Sequence, residues 1–476
     1  MNTFIEQLKH IDGLLIQDDP NDVKEACTDW RKRYQTTALA IAEPQTVQQV
    51  QAIVALCGQH NVALCTQGGN TGLVGGAVPC AHGEAAQRPH LLLRTKRLRT
   101  VLHIDAENLT LTASVGYTLH EIQAFAAEHG FLFPLSLASE GTCTLGGNLA
   151  SNAGGVAVLR YGNARELCLG LEYINSQGEL CGDLRGLRKN NTGYDLRHLL
   201  IGSEGTLGVI TTACMKVFPT PNSSCLAWLH VQDISAAVTA LGFIQKHLYC
   251  ELSSYEWMNH EAIQLVQRHF PARPPAYSNT QCDHVLAEFT SQHSQSELLE
   301  QVTETLAQLQ EVQCSVLNVN IAQSLRETNM LWAIRENISE AQAKEGLNVK
   351  HDVACAVSQI PTFHRIALRN IEENGILVRP ILFGHLGDGN LHFNLSAPEG
   401  DNSRHFLNTN QHILNQCVHD AILSCSGTIS AEHGIGQLKT ELLKKSTKTT
   451  NYREFCILKK SLDPKNILNP GKLLTP

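Results

Sequence analysis

The chain has few charged residues, since Asp, Glu, Lys and Arg together make up 17% of its 476 positions, against about 25% in typical globular proteins. It also lacks any block of basic residues, and its net charge at pH 7 is −8. A nucleic-acid ligand is therefore disfavoured, because such ligands require a basic surface. The hydrophobic share of 43% is ample for a folded core, and the length suits two to four domains.

Cysteine motifs, a secretory signal and long apolar runs are also missing. None of the 16 cysteines has C-x-x-C spacing, which excludes zinc ribbons and thioredoxin-type motifs. Residues 1–22 have no basic region followed by an apolar run, so we expect no secretory signal, reduced cysteines and a cytoplasmic location. No stretch of 18 or more apolar residues occurs, and we therefore predict no transmembrane segment.

Two common phosphate-binding fingerprints are absent: G-x-G-x-x-G, and G-x-x-x-x-G-K followed by Ser or Thr. A Rossmann dinucleotide site and a P-loop are therefore disfavoured. Three other glycine-rich segments are present, at residues 66–76 (TQGGNTGLVGG), 139–155 (SEGTCTLGGNLASNAGG) and 202–208 (GSEGTLG). Glycine allows backbone N–H groups to approach an anion closely, so three converging segments could cradle one pyrophosphate. The alternative is that they are tight turns of an α/β domain.

The first third of the chain is predicted to alternate helices and strands. Capping boxes at residues 46–49 and 118–121 begin two helices, the first of which Gly58 is expected to help end. Apolar or alternating runs predict strands at 62–66, 109–115 and 209–217. The stretch PTPNSS at 219–224 predicts a linker. Residues 225–430 then predict an α+β unit in which one helix runs from Ser324 to Gly346.

These glycine segments, followed by FGHLGDGNLHFN, AEHGIG and LDPKNILNPGK, resemble FAD-binding oxidoreductases of the vanillyl-alcohol-oxidase type. Within that type they resemble the branch holding D-2-hydroxyglutarate dehydrogenase, FAD-dependent D-lactate dehydrogenase and the FAD-binding component of glycolate oxidase. The resemblance spans residues 40 to 475 and implies an α+β protein. It implies a two-lobed FAD-binding domain over residues 1–220 with a helical lead-in over 1–35, an α+β substrate-binding domain over 221–429, and a C-terminal segment over 430–476 that returns to the flavin.

The resemblance also implies which residues surround the flavin. Some relatives attach FAD through a histidine in the first glycine turn, where this chain has Asn70, so we expect FAD to be bound non-covalently. The residues expected to line the flavin or lie near it are Gly68, Gly69, Asn70, Thr71, Gly72, Ser139, Gly141, Thr142, Gly146, Asn148, Ser151, Asn152, Gly205, Ile210 and Asn469.

The sequence Asp388-Gly389 predicts a β-hairpin with a two-residue type I′ turn. Counting outward from that turn pairs His385 with His392 across the hairpin and places Asn394 on the same face. Two neighbouring imidazoles form half of a metal site, whereas a solvated cross-strand pair is the alternative for a lone hairpin. The resemblance favours the metal, because relatives bind a divalent ion at these positions and complete the site with the glutamate that corresponds to Glu432. Zinc is expected, with manganese or cobalt as substitutes.

Four further residues are expected to act on the substrate. His433 is a candidate base, because an imidazole can accept a hydroxyl proton near neutral pH, although a surface histidine is the alternative. Arg335 and Ser339 are spaced to share one helix face, and Lys350 follows. By the resemblance these three hold the substrate carboxylate, with serine standing where the hydroxyglutarate enzymes usually have threonine. Arg335 could otherwise form an exposed ion pair with Glu336 or Glu340.

The resemblance implies an FAD- and metal-dependent dehydrogenase that oxidises a D-2-hydroxy acid to the 2-oxo acid. D-2-hydroxyglutarate is the preferred substrate and D-lactate the alternative; a third hypothesis is a non-catalytic flavoprotein subunit of a glycolate-oxidase-type complex. No second cofactor motif is visible, so electrons must pass to a separate acceptor such as an electron-transfer flavoprotein or a quinone. The sequence leaves the oligomeric state open, with a homodimer as one option.

Overall fold

The computed structural model describes residues 2–248, 250–271 and 281–475. The strands are β1 (Leu15–Gln17), β2 (Ile41–Glu43), β3 (Ala63–Gln67), β4 (His90–Arg94), β5 (Leu102–Asp105), β6 (Thr110–Ser114), β7 (Phe131–Leu132), β8 (Cys168–Ile174), β9 (Leu180–Asp183), β10 (Val209–Lys216), β11 (Phe218–Pro219), β12 (Ser223–Val231), β13 (Glu251–Met258), β14 (Asp283–Ser291), β15 (Val316–Ile321), β16 (Asn348–Val349), β17 (Asp352–Ala354), β18 (Arg379–His385) and β19 (Asn390–Ser396).

The helices are α1 (Asn2–Lys9), α2 (Pro20–Ala26), α3 (Val47–His60), α4 (Gly83–Ala86), α5 (Leu119–Glu128), α6 (Leu145–Ser151), α7 (Val158–Tyr161), α8 (Ala164–Leu167), α9 (Leu196–Leu200), α10 (Ile234–His247), α11 (His260–His269), α12 (Gln295–Val312), α13 (Leu325–Glu336), α14 (Ile338–Glu345), α15 (Ile360–Glu373), α16 (Ser403–Ser424), α17 (Thr440–Ser446) and α18 (Thr449–Leu462). Short 3₁₀ turns lie at Thr95–Arg97, Val357–Gln359 and Leu386–Asp388. None of the helices in the described ranges combines the length and apolar character that crossing a bilayer requires.

The chain divides into two compact units. Unit 1 contains Met1–Gly154, Gly162–Thr220 and Glu432–Pro476, so the C-terminal residues pack with the N-terminal part of the chain. Unit 2 contains Gly155–Tyr161 and Pro221–Ala431. The chain therefore passes from unit 2 to unit 1 twice, between residues 161 and 162 and between residues 431 and 432.

Unit 1 is built on two main sheets. A four-stranded sheet has the order β1-β2-β4-β3, in which β2, β4 and β3 run parallel. A five-stranded antiparallel sheet has the order β5-β6-β10-β8-β9. Ile41, Cys65 and Leu92 of the first sheet bury their side chains against Val23 of α2.

The local sequence signals at the start of α3 and α5 are confirmed. Thr46 and Gln49 form a reciprocal capping box at the N-terminus of α3, and Thr118 and Glu121 form another at α5. Each box satisfies backbone N–H groups that have no partner inside the helix. Predicted strands at 62–66, 109–115 and 209–217 correspond to β3, β6 and β10.

Two local predictions in unit 1 are wrong. The helix α3 continues through Gly58 to His60, and it ends where Asn61 adopts a left-handed conformation with φ +53°. Asparagine tolerates that conformation better than most residues, so it replaces glycine as the stop. The predicted helical lead-in over 1–35 also contains β1, which pairs with β2 at the edge of the first sheet.

Unit 2 is built on an antiparallel sheet with the order β15-β12-β14-β13-β18-β19-β16, and β17 also pairs with β19. One face of this sheet is covered by α11, α13 and α14, where Met258, Ile334 and Phe383 share a buried apolar cluster. Because side chains alternate along a strand, Glu256, His385 and His392 lie on that same face.

The opposite face of the unit 2 sheet is covered by other helices. The hydroxyl of Tyr255 on β13 donates to the carbonyl of Ala237 on α10 at 2.8 Å. The ring of Phe393 on β19 packs against Phe363 of α15, with ring centroids 5.3 Å apart. The sheet is thus buried on both faces, and a charged side chain within it must find a partner.

The predicted helix from Ser324 to Gly346 is interrupted. Ser324 caps α13 as expected, accepting a hydrogen bond from the N–H of Glu327. However, α13 ends at Glu336, and a second helix, α14, begins at Ile338 after Asn337. Arg335 therefore lies on α13 and Ser339 on α14. Their i, i+4 spacing does not fall within one unbroken helix, as the prediction had assumed.

Candidate functional site

The first two glycine-rich segments of unit 1 are in contact. A Cβ atom on Gly69 would lie 2.3 Å from the carbonyl oxygen of Thr142, and one on Gly68 would lie 2.4 Å from Oγ1 of Thr144. Side chains cannot be accommodated at those distances, so only glycine lets the chain after β3 pass this close to the start of α6. The two segments therefore form one surface.

The third glycine-rich segment and the C-terminal tail join the same region of unit 1. The N–H of Glu204 donates to the carbonyl of Ala150 in α6 at 2.8 Å. The side-chain amide of Asn469 donates to the carbonyl of Glu204 at 2.7 Å, and its backbone N–H donates to Leu64 of β3 at 2.7 Å. The convergence that the cradle hypothesis requires is thus present within unit 1.

The surroundings of these segments fit a flavin nucleotide. Within the described residues, no atom lies within 4 Å of a Cβ placed on Gly72 or Gly141, so a ligand can approach their backbone. The buried Oγ1 of Thr66 and Oδ1 of Asn469 have no hydrogen-bond partner among those residues. Both side chains have an atom 3.8 Å from a Cβ placed on Gly205, where φ is +70°. A ligand rich in hydrogen-bonding groups would satisfy such atoms.

Several other predicted flavin residues have structural contacts of their own. A Cβ on Gly146 would lie 2.8 Å from that of Val115, so this glycine is required for packing. Ser151 donates to the carbonyl of Gly147 at 2.9 Å, and Asn152 accepts the N–H of Arg165 at 3.0 Å. The remaining members lie in the same segments or in β10: Thr71, Ser139, Thr142, Asn148 and Ile210.

Asn70 occupies the position where some flavoproteins carry a linking histidine. It adopts the left-handed conformation with φ +55°, which asparagine tolerates. Its side-chain amide donates to the carbonyl of Thr28 at 2.9 Å. Asn70 therefore helps to shape the first turn through a contact with the segment that follows α2.

The loop that carries His433 is fixed by a buried carboxylate. Glu204 accepts the backbone N–H groups of Ile435 at 2.8 Å and Gly436 at 2.7 Å. Burial raises the pKa of Glu204, and these two N–H donors act in the opposite direction. The half-buried His433 is thus two residues from Ile435, whose backbone is held by Glu204.

Gln437 anchors the same loop to the end of the first glycine-rich segment. Its backbone N–H donates to the carbonyl of Val74 at 3.0 Å. Its side-chain amide donates to the carbonyl of Gly75 at 2.9 Å and accepts the N–H of Ala81 at 2.9 Å. Within unit 1, the candidate base therefore belongs to a loop attached to the candidate flavin-binding turn.

The hairpin of unit 2 differs from its prediction. Residues 386–388 form a 3₁₀ turn, and Gly389 follows with φ +88°, so Asp388-Gly389 is not a two-residue type I′ turn. His392 lies directly opposite Phe383, and the register is shifted by two residues from the predicted one. Because side chains repeat every two residues on one face, His385 still lies on the face of His392, with ring centroids 5.7 Å apart.

A buried carboxylate lies opposite each of these two histidines. Glu256 on β13 is the direct partner of His385, and its Oε1 is 2.6 Å from Nδ1 of the imidazole. Asp352 on β17 is the direct partner of His392, and its Oδ1 is 3.9 Å from Nδ1. Metal-binding histidines typically have a hydrogen-bonded carboxylate or carbonyl on their second nitrogen. Glu256 lies at that distance from His385, whereas the 3.9 Å between Asp352 and His392 is longer than a hydrogen bond; the arrangement fits a metal ligand most directly at His385.

Arg335 shares the carboxylate of Glu256. Its Nε donates to Oε2 at 2.8 Å, and its guanidinium carbon lies 4.8 Å from the ring centroid of Phe383. Burial would raise the pKa of Glu256, but its contacts with the imidazole of His385 and the guanidinium of Arg335 outweigh burial and lower that pKa to about 2. The group is therefore a carboxylate across the physiological pH range, and the charge of Arg335 is not exposed as an isolated surface ion pair.

The other predicted substrate residues differ in their exposure to solvent. Ser339 is exposed on α14, and Lys350 is exposed immediately after β16. Asn394 is buried and donates to Oε1 of Gln342 at 3.0 Å. Of this set, Arg335 and Asn394 lie on the sheet face with the histidine pair.

Sequence reasoning missed three acidic residues that organise these sites: Glu204, Glu256 and Asp352. Glu256 had a detectable signal, because it is the only charge in the run SSYEWM, which forms most of β13. An acidic residue in a buried strand implies a partner, but the sequence does not name that partner. Asp352 and Glu204 lie in short or irregular segments, where no periodic pattern predicts which way a side chain points.

A second group of metal-ligand residue types lies buried in unit 2: His230, Cys282 and His284. The indole N–H of Trp228 donates to Nδ1 of His284 at 3.2 Å, and Sγ of Cys282 lies 3.7 Å from Nδ1 of His230. Because the indole N–H can only donate, Nδ1 of His284 accepts and the ring proton must lie on Nε2. In that tautomer His284 offers a metal no lone pair unless it loses the contact with Trp228, and its buried Nε2 has no hydrogen-bond partner among the described residues.

Two family models match the chain. The model described as FAD linked oxidases, C-terminal domain, matches residues 220–473, and the model described as FAD binding domain matches residues 38–182. The chain belongs to the FAD-linked oxidase family. The expectation that it is an FAD-binding oxidoreductase is thereby confirmed.

Two relatives that match nearly the whole chain agree with this assignment, and a solved structure shares the fold. D-2-hydroxyglutarate dehydrogenase of Xanthomonas citri pv. viticola is 33% identical over 97% of this chain and 95% of the relative. The mitochondrial D-2-hydroxyglutarate dehydrogenase of Rattus norvegicus is 34% identical over 96% and 82%. The structure of p-cresol methylhydroxylase with substrate bound superposes with a TM-score of 0.73 at 14% identity, covering 99% and 96%. The predicted α+β fold of vanillyl-alcohol-oxidase type is confirmed.

Proposed function

We propose that this protein oxidises a D-2-hydroxy acid, preferably D-2-hydroxyglutarate, to the 2-oxo acid, using non-covalently bound FAD and a divalent metal. The names of relatives that are 33–34% identical over nearly the whole chain support the substrate. The observation that carries the proposal is the pair of buried carboxylates behind His385 and His392, on the sheet face that also holds Arg335. That face offers both metal ligands and a cation for an acidic substrate.

The proposed metal ligands are His385, His392 and Glu432. Glu432 directly follows Ala431, whose N–H donates to the carbonyl of Asp352 at 3.3 Å, and Asp352 is the strand partner of His392. Two imidazoles and a carboxylate suit Zn²⁺, and Mn²⁺ or Co²⁺ could substitute. A bound divalent ion would lower the pKa of the substrate hydroxyl.

The proposed substrate-binding residues are Arg335, Ser339, Lys350 and Asn394. Among the described residues, the two terminal nitrogens of Arg335 make no hydrogen bond, since Glu256 is bonded to Nε. A guanidinium with both terminal nitrogens available binds a carboxylate in a bidentate manner. Lys350 and Ser339 are exposed, and they would contribute weaker contacts to the same anion.

His433 is the proposed base. Its loop is held by Glu204 and Gln437 beside the first glycine-rich turn of unit 1. The reaction removes a hydride from Cα and a proton from the hydroxyl of the substrate, and His433 would take that proton. Bound FAD supplies the hydride acceptor.

The electrons would then pass to a separate acceptor, which we propose to be an electron-transfer flavoprotein or a quinone. The sequence offers no Rossmann fingerprint for NAD(P) and no second cofactor motif. We also propose a cytoplasmic location, and a homodimer is one option for the oligomeric state.

Anaerobic flavin reduction tests the proposed substrate. The purified protein would be mixed without oxygen with D-2-hydroxyglutarate, D-lactate, D-malate or glycolate, while the flavin absorbance is followed. We expect D-2-hydroxyglutarate to bleach the flavin with the highest second-order rate constant. Faster bleaching by D-lactate would move the assignment to a D-lactate dehydrogenase. Bleaching by none of the four, or a protein that takes up no FAD, would favour a non-catalytic subunit.

A further inference from the structure

Glu256 contacts two side chains that the proposed function uses. It is fully buried on β13, with Oε1 2.6 Å from Nδ1 of His385 and Oε2 2.8 Å from Nε of Arg335. Its two carboxylate oxygens are thus each committed to a different neighbour. A single buried carboxylate therefore links a candidate metal ligand to the candidate anchor of the substrate carboxylate.

The contact with His385 determines which ring nitrogen carries the proton. An ionised carboxylate can only accept hydrogen bonds, so Nδ1 of His385 must donate. A neutral imidazole protonated at Nδ1 has its lone pair at Nε2, the atom that a metal would need. Metal-binding histidines are commonly oriented in this way by a partner on the second nitrogen.

The contact with Arg335 determines the direction of its guanidinium. The group is planar, and its N–H donors form a rigid fork. Fixing Nε on Glu256, with the Phe383 ring stacked 4.8 Å away, leaves little rotation about the side chain. The two terminal nitrogens then keep one orientation for a carboxylate ligand.

We propose that Glu256 is a positioning residue that sets the tautomer of His385 and the orientation of Arg335 together. The inference rests on the proposed function, in which His385 binds the metal and Arg335 binds the substrate carboxylate. Beyond that function, the proposal states that one residue, Glu256, orients both His385 and Arg335 without contacting the metal or the substrate itself.

The variant Glu256→Gln separates this role from simple packing. Glutamine has nearly the same shape, but it offers one accepting oxygen and one donating NH₂ group. The guanidinium of Arg335 is always protonated and must donate, so the amide oxygen turns toward it. The NH₂ group then faces His385 and forces Nδ1 to accept, which moves the ring proton to Nε2.

Zinc affinity is the first measurement. Full-length, FAD-loaded protein would be stripped of metal and titrated with Zn²⁺ against a chromophoric chelator. We expect Glu256→Gln to bind Zn²⁺ about 10- to 100-fold more weakly than the wild type, the usual effect of losing a partner on a metal-bound histidine. Glu256→Asp keeps an accepting carboxylate and should recover part of the affinity. Glu288→Gln is the matched control, because Glu288 is a mostly buried glutamate on the neighbouring strand β14 that bonds to Ser253.

The ring tautomer is the second measurement, and it does not depend on metal binding. Long-range ¹H–¹⁵N spectra of metal-free protein labelled at histidine would identify the His385 signal by its loss in His385→Asn. We expect the Nδ1–H form in the wild type and in Glu256→Asp, and the Nε2–H form in Glu256→Gln. An Nε2–H form in the wild type, or an unchanged tautomer in Glu256→Gln, would overturn the proposal.

The two measurements distinguish failure of the inference from failure of the proposed function. If the wild type binds no Zn²⁺ but the tautomer switches in Glu256→Gln, the metal part of the proposed function is wrong and the role of Glu256 stands. If the wild type binds Zn²⁺ and Glu256→Gln binds it equally well, the role of Glu256 is wrong and the metal site stands.

Discussion

Phe383 lies directly opposite His392 in the β18–β19 hairpin, and its ring contacts both that imidazole and the guanidinium of Arg335. The ring centroids of Phe383 and His392 are 4.9 Å apart, and the carbon of the guanidinium lies 4.8 Å from the Phe383 centroid. The phenyl ring therefore separates the proposed metal ligand from the proposed substrate anchor and packs against each of them.

The variant Phe383→Leu should weaken substrate binding. It keeps an apolar side chain but removes the aromatic face under Arg335, and a cation–π contact contributes about 0.5–2 kcal/mol. We therefore expect KM for D-2-hydroxyglutarate to rise about 2- to 30-fold. Phe393→Leu is the matched control, because Phe393 is buried on the other face of the same hairpin. Equal KM values for the two variants would show that the rise in KM comes from general destabilisation of the hairpin and not from the lost contact with Arg335.

Arg335→Ala should be more damaging than Lys350→Ala. Removing the guanidinium takes away the proposed bidentate contact and leaves Glu256 with one partner fewer, and such losses cost about 2–5 kcal/mol. We expect that loss in kcat/KM, mainly through KM. Lys350 is exposed, so its removal should have a smaller effect. Steady-state kinetics of both variants over a range of substrate concentrations would decide the point, and near wild-type kinetics for Arg335→Ala would contradict the assignment.

The sequence predicted the proximity of His385 and His392 through a turn that the structure does not contain. The predicted register was wrong by two residues, but a shift of two keeps every side chain on its face. A shift of one would have separated the pair. The face on which a strand residue lies is thus more predictable than its partner on the next strand. The alternation of side chains determines the face, whereas the length and shape of the loop determine the pairing.

The partners of the site residues could not be predicted from sequence. Glu256 precedes Arg335 by 79 residues and His385 by 129, and only the strand order of unit 2 brings them together. The break at Asn337 was missed for a similar reason, since the residues around it continue a pattern typical of a helix. Local signals such as the Thr46 capping box were predictable because every atom involved lies within four residues.

A chelator should abolish turnover without removing the flavin. The proposed metal ligands His385 and His392 lie on the unit 2 sheet, whereas the proposed flavin residues lie in unit 1. We expect His392→Ala to lose metal and activity together, and His433→Ala to keep metal while kcat falls. Elemental analysis, flavin absorbance and kinetics on the same samples would test this. Full activity after exhaustive chelation, with no metal detected, would refute the metal assignment.

FAD should be released when the protein is denatured with acid. The first glycine turn has Asn70 at the position of a linking histidine, and an amide cannot form that bond to the flavin ring. We expect the isolated protein to be yellow and the flavin to remain in the supernatant after acid precipitation. Flavin absorbance that stays in the pellet would contradict non-covalent binding. The Asn70→Ala variant would also test the contact with Thr28, and we expect it to bind FAD more weakly.

The stability of the protein should fall as the pH rises toward neutrality because of Asp283. Burial, with the nearby charge of Asp233, raises the pKa of Asp283 from 3.8 to about 7. Between those values the folded state holds a proton that the unfolded state has lost, so the free energy of unfolding decreases with increasing pH and levels off above about 7.

Asp283→Asn removes this slope while still accepting the N–H of His260, which lies 3.2 Å from Oδ1. We expect the variant to gain stability over the wild type as the pH rises from 5 to 8, by roughly 2.5 kcal/mol, since about two units of the pKa shift lie above pH 5. Urea denaturation at pH 5 and 8 measures this, with the exposed Asp401→Asn as control. A difference between Asp283→Asn and wild type that is the same at both pH values would show that Asp283 is already ionised in the folded protein.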